Sequence, residues 1–158
     1  MKHYKVTVIL ALGLIAFLLP SLATVPPVFA AVPTDLTLTG KVTQTHEGPT
    51  SKTFTVKIHL APAGNSTSHF TIWGKTVVAG DYPYYLGGTA ILEGNILIMN
   101  LTTTQKHVDG WRDTGVMQAR YNLVDNLGSF YEIGNDYNTK KLGQFDRRFS
   151  AGTLKKST

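Results

Sequence analysis

From residue 31 onward, apolar and polar residues alternate with a period of two, and no stretch shows the three-to-four-residue spacing of an amphipathic helix. Side chains of a strand point alternately to the two faces of a sheet, so this pattern marks strands with one buried face. Residues 35–46 place Leu36, Leu38, Gly40, Val42 and Gln44 on one face, and residues 52–60 do the same with Phe54, Val56, Ile58 and Leu60. A loop over residues 47–51 predicts Val42 opposite Val56. A turn over residues 61–65 predicts Ile58 opposite Phe70, Val56 opposite Ile72 and His59 opposite His69, on a strand that bends at Gly74 and runs to Ala79. A loop rich in Tyr and Gly, residues 80–88, follows.

Gly94-Asn95 suits a tight turn with positive φ, and it pairs Leu92 with Leu97 and Ala90 with Met99. A polar connection, residues 104–113, leads to a strand over 115–124 with Met117, Ala119, Tyr121 and Leu123 on its apolar face. Residues 129–134 and 142–154 close the chain around a turn near Asn138 and Thr139, which predicts Phe130 opposite Phe149 and Glu132 opposite Arg147. Eight or nine strands joined in sequence by short links predict an all-β fold, an antiparallel up-and-down barrel of about eight strands. A β-sandwich is the alternative, but its Greek keys need long return connections. A barrel of that size is filled by side chains or holds one small ligand.

The first thirty residues follow a different rule. Lys2 and Lys5 flank an apolar run of 14 residues, 6–19, which Pro20 breaks, and Val28-Phe29-Ala30 places small or branched residues at a cleavage position. This is the pattern of a secretory signal peptide over 1–30, with a single barrel domain over 31–158. A membrane-spanning helix needs ~20 apolar residues, so no stable span is expected after cleavage. The predicted location is secreted or periplasmic.

Charge then loses its first meaning. The chain carries a formal +5, but without the leader it has thirteen Lys and Arg against ten Asp and Glu, and Lys155 and Lys156 sit in the tail. No basic stripe remains, so nucleic acid is not an expected partner. The chain has no Cys, which excludes disulfides, Cys-ligated zinc and a thiol nucleophile. Phosphate loops, serine-hydrolase elbows, His-Glu-x-x-His and dinucleotide fingerprints are also missing, so no cofactor is expected. The Gly-x-Trp of lipocalin first strands and the paired tryptophans of avidins are absent, leaving a calycin-like architecture without a family.

Several residues are candidates for a site. Glu132 facing Arg147 across the last two strands makes an acid–base pair on the aromatic face of Phe130 and Phe149, if Tyr131 and Ile133 point outward. Such a pair either closes the barrel or does acid–base work. The segment 107–113 is the densest group of chemically able side chains, with His107 near Asp109 and with Trp111 and Arg112 as a stacking lid. Tyr82, Tyr84 and Tyr85 offer a second aromatic loop, and Tyr121 an inward hydroxyl. His59 and His69 form a weak metal pair on the solvent face, so no metal is expected. Ile91, Ile96 and Ile98 leave one hairpin apolar on both faces, which suits self-association into a homo-oligomer.

Three readings follow. The first is an exported barrel that binds a small apolar or aromatic molecule. The second is a cofactor-independent cyclase or isomerase using Glu132, Arg147 or His107. The third is a structural protein that associates through its apolar sheet face.

Overall fold

The structure, a computed structural model, describes residues 30–77, 83–141 and 145–158. The leader and Tyr82 lie outside the described residues. Among the described residues nine strands follow one another: β1 Asp35–Thr45, β2 Gly48–Pro49, β3 Thr53–Pro62, β4 His69–Val77, β5 Tyr84–Glu93, β6 Ile96–Lys106, β7 Trp111–Asn122, β8 Leu127–Asn138 and β9 Phe145–Lys156. Each long strand pairs antiparallel with the next, and β1 pairs with β9 to close the sheet. The result is an eight-stranded up-and-down barrel with β2 as a short extra strand, as the alternation predicts. Closure leaves no long edge with unpaired backbone groups.

Inward and outward faces follow the period-two rule, and the core is the inward set. Leu36, Leu38, Val56, Ile58, Leu60, Phe70, Ile72, Ala90, Leu97, Met99, Ala119, Tyr121, Phe130 and Leu154 are all buried. Phe130 meets Phe54 edge to face, with ring centroids 5.4 Å apart. The Gly94-Asn95 turn forms with Gly94 at φ 61°, and Leu92 and Ala90 face Leu97 and Met99 as expected.

Other registers differ, because the turns sit elsewhere. β1 turns back tightly at His46 and Glu47, with Gly48 at φ 116° pairing to Thr45. Val56 therefore faces Leu38, not Val42. The next turn occupies residues 63–68, where the Ser66 hydroxyl accepts the backbone N–H groups of Ser68 (3.2 Å) and His69 (2.9 Å). Ile58 thus faces Gly74, and Val56 faces Thr76. Both slips span an even number of residues, so the predicted inward sets of these strands stay inward.

The β8–β9 slip is odd, and it changes faces. The connection lies beyond Thr139, so Phe130 faces Gly152 and Glu132 faces Ser150. Arg148, Ser150, Gly152 and Leu154 share the phase of Glu132, while Arg147 is exposed on the other face. Phe149 packs on Tyr131, with ring centroids 5.4 Å apart. The predicted pairs Glu132–Arg147 and Phe130–Phe149 do not form.

Candidate functional site

The inward positions change character along the barrel. Near the turns at 63–68, 94–95 and 123–126 they are apolar. Toward the other end, β6 continues inward with Thr103 and Gln105, β7 begins with Asp113, β8 adds Glu132 and Asp136, and β9 adds Arg148 and Ser150. Buried polar groups need partners, and here they find one another around a single guanidinium.

Arg148 donates through Nη1 to the Tyr84 hydroxyl and through Nη2 to Glu132 Oε1 at 3.3 Å. Its Nη1 also lies 3.5 Å from Asp113 Oδ2. Its Nε lies 3.2 Å from Asp136 Oδ1, without the alignment of a hydrogen bond. Tyr84 passes its own proton toward Asp113 Oδ2 at 2.9 Å. Glu132 accepts from Thr103 at 2.6 Å and from Ser150 at 3.2 Å. His107 Nε2 meets Gln105 Oε1 at 2.8 Å and Asp113 Oδ2 at 3.3 Å.

Three carboxylates thus surround one guanidinium. Burial alone would weaken the Arg148 charge, but Glu132, Tyr84 and Asp136 outweigh it and hold its pKa above the ordinary value. Burial also lifts the Tyr84 hydroxyl well above a free tyrosine; Asp113 adds to this and Arg148 opposes it. Asp136 is pushed up to about 6. Burial is the main cause, Arg148 pulls the other way, and the neighbouring Asp113 and Asp146 push further. The backbone explains these neighbours, since Asp136 stands directly opposite both.

Two glycines make the cluster fit. A β-carbon on Gly115 would come within 2.7 Å of Thr103 Oγ1 and 2.9 Å of Glu132 Oε1. One on Gly134 would come within 2.9 Å of Arg148 Nε.

Above the cluster lies a cavity of about 860 Å³. Its walls are Phe54, Leu86, Met117 and Phe130 on the apolar side, and Tyr84, Thr103, Glu132, Arg148 and Ser150 on the polar side. The β1–β3 turn, with exposed His46 and Glu47, forms its rim. Glu132 has about four acceptor positions as a carboxylate, and its three protein donors leave one toward a ligand.

The sequence-predicted residues divide. Glu132, Tyr84, Phe130 and Phe149 line the cavity. Tyr84 and Tyr85 belong to β5 and not to a loop, and Tyr85 points outward. His107 joins the cluster through Asp113, while Asp109 instead accepts the Trp111 backbone N–H at 3.2 Å. Trp111 and Arg112 start β7, half-buried, away from the cavity lining. Tyr121 is buried deep in the apolar half, its hydroxyl donating to Asn126 Oδ1 at 3.3 Å.

The metal pair His59–His69 is overturned: His59 faces Trp73 and His69 faces Ile91. Among the described residues no three acidic or His side chains are placed to hold a metal. Ile91 and Ile98 stand opposite each other and are half-buried, as is Ile96. Arg148, Asp136, Thr103 and Ser150 carry no signal of their own in the sequence, and Asp113 is marked only as the end of the 107–113 segment. Extending the inward phase of β7 and β8 by two or four residues reaches Asp113 and Asp136, and phasing β9 on Leu154 reaches Arg148.

No family model matches the sequence, and no curated protein does. Among solved structures the chain is similar to one described as "Structure of EF1p2_mFAP2b bound to DFHBI", with 13% identity and a TM-score of 0.46, over 80% of this chain and 94% of that one. At that distance the likeness assigns no ligand.

Proposed function

We propose that this chain is an exported small-molecule-binding barrel. Its ligand has a compact apolar or aromatic body and at least one hydrogen-bond donor. The supporting observation is the cavity of about 860 Å³ with rings on one wall and an oriented carboxylate–guanidinium pair on the other. Sites for small molecules have this size and this mixture, mostly apolar with a few fixed polar groups. Phe54 and Phe130 would take the ligand body, and the remaining acceptor position of Glu132 its donor group. Export is the reading of residues 1–30.

Native mass spectrometry of the protein purified from its own host tests this. A retained small molecule is expected, and it should be lost from the Ser150→Phe variant, which fills the polar side of the cavity. A protein without a retained molecule, and without a thermal shift from any member of an aromatic fragment library, overturns the proposal.

Catalysis without a cofactor is the second reading, favoured by the Asp136 carboxyl, pushed up to about 6 beside Arg148 and Asp113. Perturbed acids near a cleft often act in proton transfer, although structural ion pairs shift pKa values too. Recovery of two isomers of the retained molecule, reduced to one in Glu132→Gln protein, would decide for it. A single species from both proteins decides for binding alone.

A further inference from the structure

Across β1, β3, β4 and β5 the outer surface of the barrel carries a groove of about 540 Å³ lined by two large aromatics. Trp73 is 48% exposed and Tyr85 is 59% exposed. They are diagonal neighbours, because Trp73 faces Gly87 and Lys75 faces Tyr85. Gly87 leaves open space where a side chain would stand, so the indole has a clear flank. The indole is held in place: His59 packs against it with ring centroids 4.3 Å apart, and His59 Nδ1 is fixed by Asp35 Oδ1 at 2.9 Å.

Lys57 and Lys75 stand directly opposite each other beside these rings. Like charges in that position destabilise a strand pair. An anion between the two ammonium groups reverses the sign of that interaction. Around the spot the outward positions are Thr37, Thr102 and Thr104, which offer hydroxyls.

We infer that this groove is a second binding site, separate from the interior cavity, for a saccharide carrying an acidic group. A sugar ring stacks on Trp73, its carboxylate or sulfate sits between Lys57 and Lys75, and Asp35, His59 and the threonines take its hydroxyls. A single-stranded nucleic acid also stacks on aromatics, but it needs cations along the whole backbone track. Here one cationic spot is bounded by threonines and a carboxylate.

The test uses the full chain with Trp111→Phe, which leaves Trp73 as the only tryptophan of the original two. Tetragalacturonate and a sulfated chondroitin tetrasaccharide are titrated against its emission. At least one should give a saturable change. The fully methyl-esterified tetragalacturonate, with the same rings and no charge, and the Lys57→Gln/Lys75→Gln variant should each bind at least tenfold more weakly. The response should persist in the Ser150→Phe protein, which separates this groove from the interior cavity. No saturable change with either acid up to millimolar concentration overturns the inference. So do equal binding of an acid by the lysine variant, loss of the response in Ser150→Phe, or tighter binding of oligo(dT). Both lysines point outward and repel each other, so their removal leaves the fold intact, as far-ultraviolet circular dichroism will verify.

Discussion

Replacing Arg148 by Met keeps the length and bulk of the side chain and removes its charge. In the folded protein Arg148 is the cation that Glu132, Asp113 and Asp136 share. Its side chain is 16% exposed, against 12% for Glu132 and 8% for Asp113, so water screens these contacts little. Removing one partner of a buried ion pair costs about 3–5 kcal/mol, because the remaining charges stay buried. For a domain of this size each kcal/mol moves Tm by about 3–5 °C, so Arg148→Met should melt roughly 10–20 °C below the wild type at pH 7. The loss should shrink on acidification. Asp136 sits at about 6 in the native protein, and Arg148 is the neighbour that pulls it down. Without that pull its folded pKa rises further above the unfolded one, so the folded variant takes up a proton that the unfolded chain does not hold. Stability therefore returns as pH falls toward 4.5. Neutralising the acids, as in Arg148→Met/Glu132→Gln/Asp113→Asn, should restore most of the loss at pH 7. Urea denaturation of these proteins at pH 7 and 4.5 gives the numbers. A deficit under about 1 kcal/mol at pH 7, or one unchanged at pH 4.5, would refute the claim that Arg148 holds the polar half together.

Asp136 makes a second pH prediction in the wild type. Its folded pKa of about 6 lies above the ordinary 3.8, so its unfavourable contribution is absent at low pH and grows as pH rises through about 6. Asp136→Asn should match the wild type near pH 4 and exceed it in urea midpoint near pH 7; parallel profiles would show that the carboxyl is not strained. Gly115→Ala should cost about 1–3 kcal/mol by displacing the Thr103–Glu132 hydrogen bond, measured by chemical denaturation, and Ala at the open Gly87 should cost far less. Phe130→Ala removes a buried ring and its edge contact with Phe54, and should lower stability by about 3–5 kcal/mol in the same assay. His59→Ala should leave the melting temperature nearly unchanged while shifting Trp73 emission, since it removes the ring that packs on an exposed indole.

How much of this was legible depended on parity. Which residues of β1, β3 and β7 face inward follows from alternation alone, and slips of four residues at the first two hairpins left those faces intact. The turns were harder to place. Gly48-Pro49 read as part of a five-residue loop, but the positive φ available at Gly48 lets the chain turn at His46 and Glu47 instead. On β9 the aromatic alternation of Phe145, Arg147 and Phe149 drew the inward phase onto the wrong set. Small inward residues, Ser150 and Gly152, lack the hydrophobic signal that reveals a face, although Leu154 shares their phase. The site was therefore half visible: Glu132 stood out as a charge among apolar residues, and its partner did not.

Polar residues at the inward strand ends resemble loop residues in the sequence. Asp113 and Asp136 terminate their strands' apolar runs, and polar residues near strand ends look like connections in sequence. In a closed barrel the strands continue past the apolar core, because closure pairs the backbone along their full length. The inward positions beyond the core then face the barrel's interior and not solvent. Polar residues there must satisfy one another, and they leave a volume that apolar packing does not fill. The apolar core and the polar cavity thus occupy different halves of one barrel. Leu38, Leu60, Leu97 and Tyr121 hold the fold at one end, while Arg148, Glu132 and Tyr84 are oriented at the other by strands whose register that core fixes. On the proposed binding function, a substitution in the apolar half should change how much protein is folded, whereas Glu132→Gln should also change what the folded protein retains.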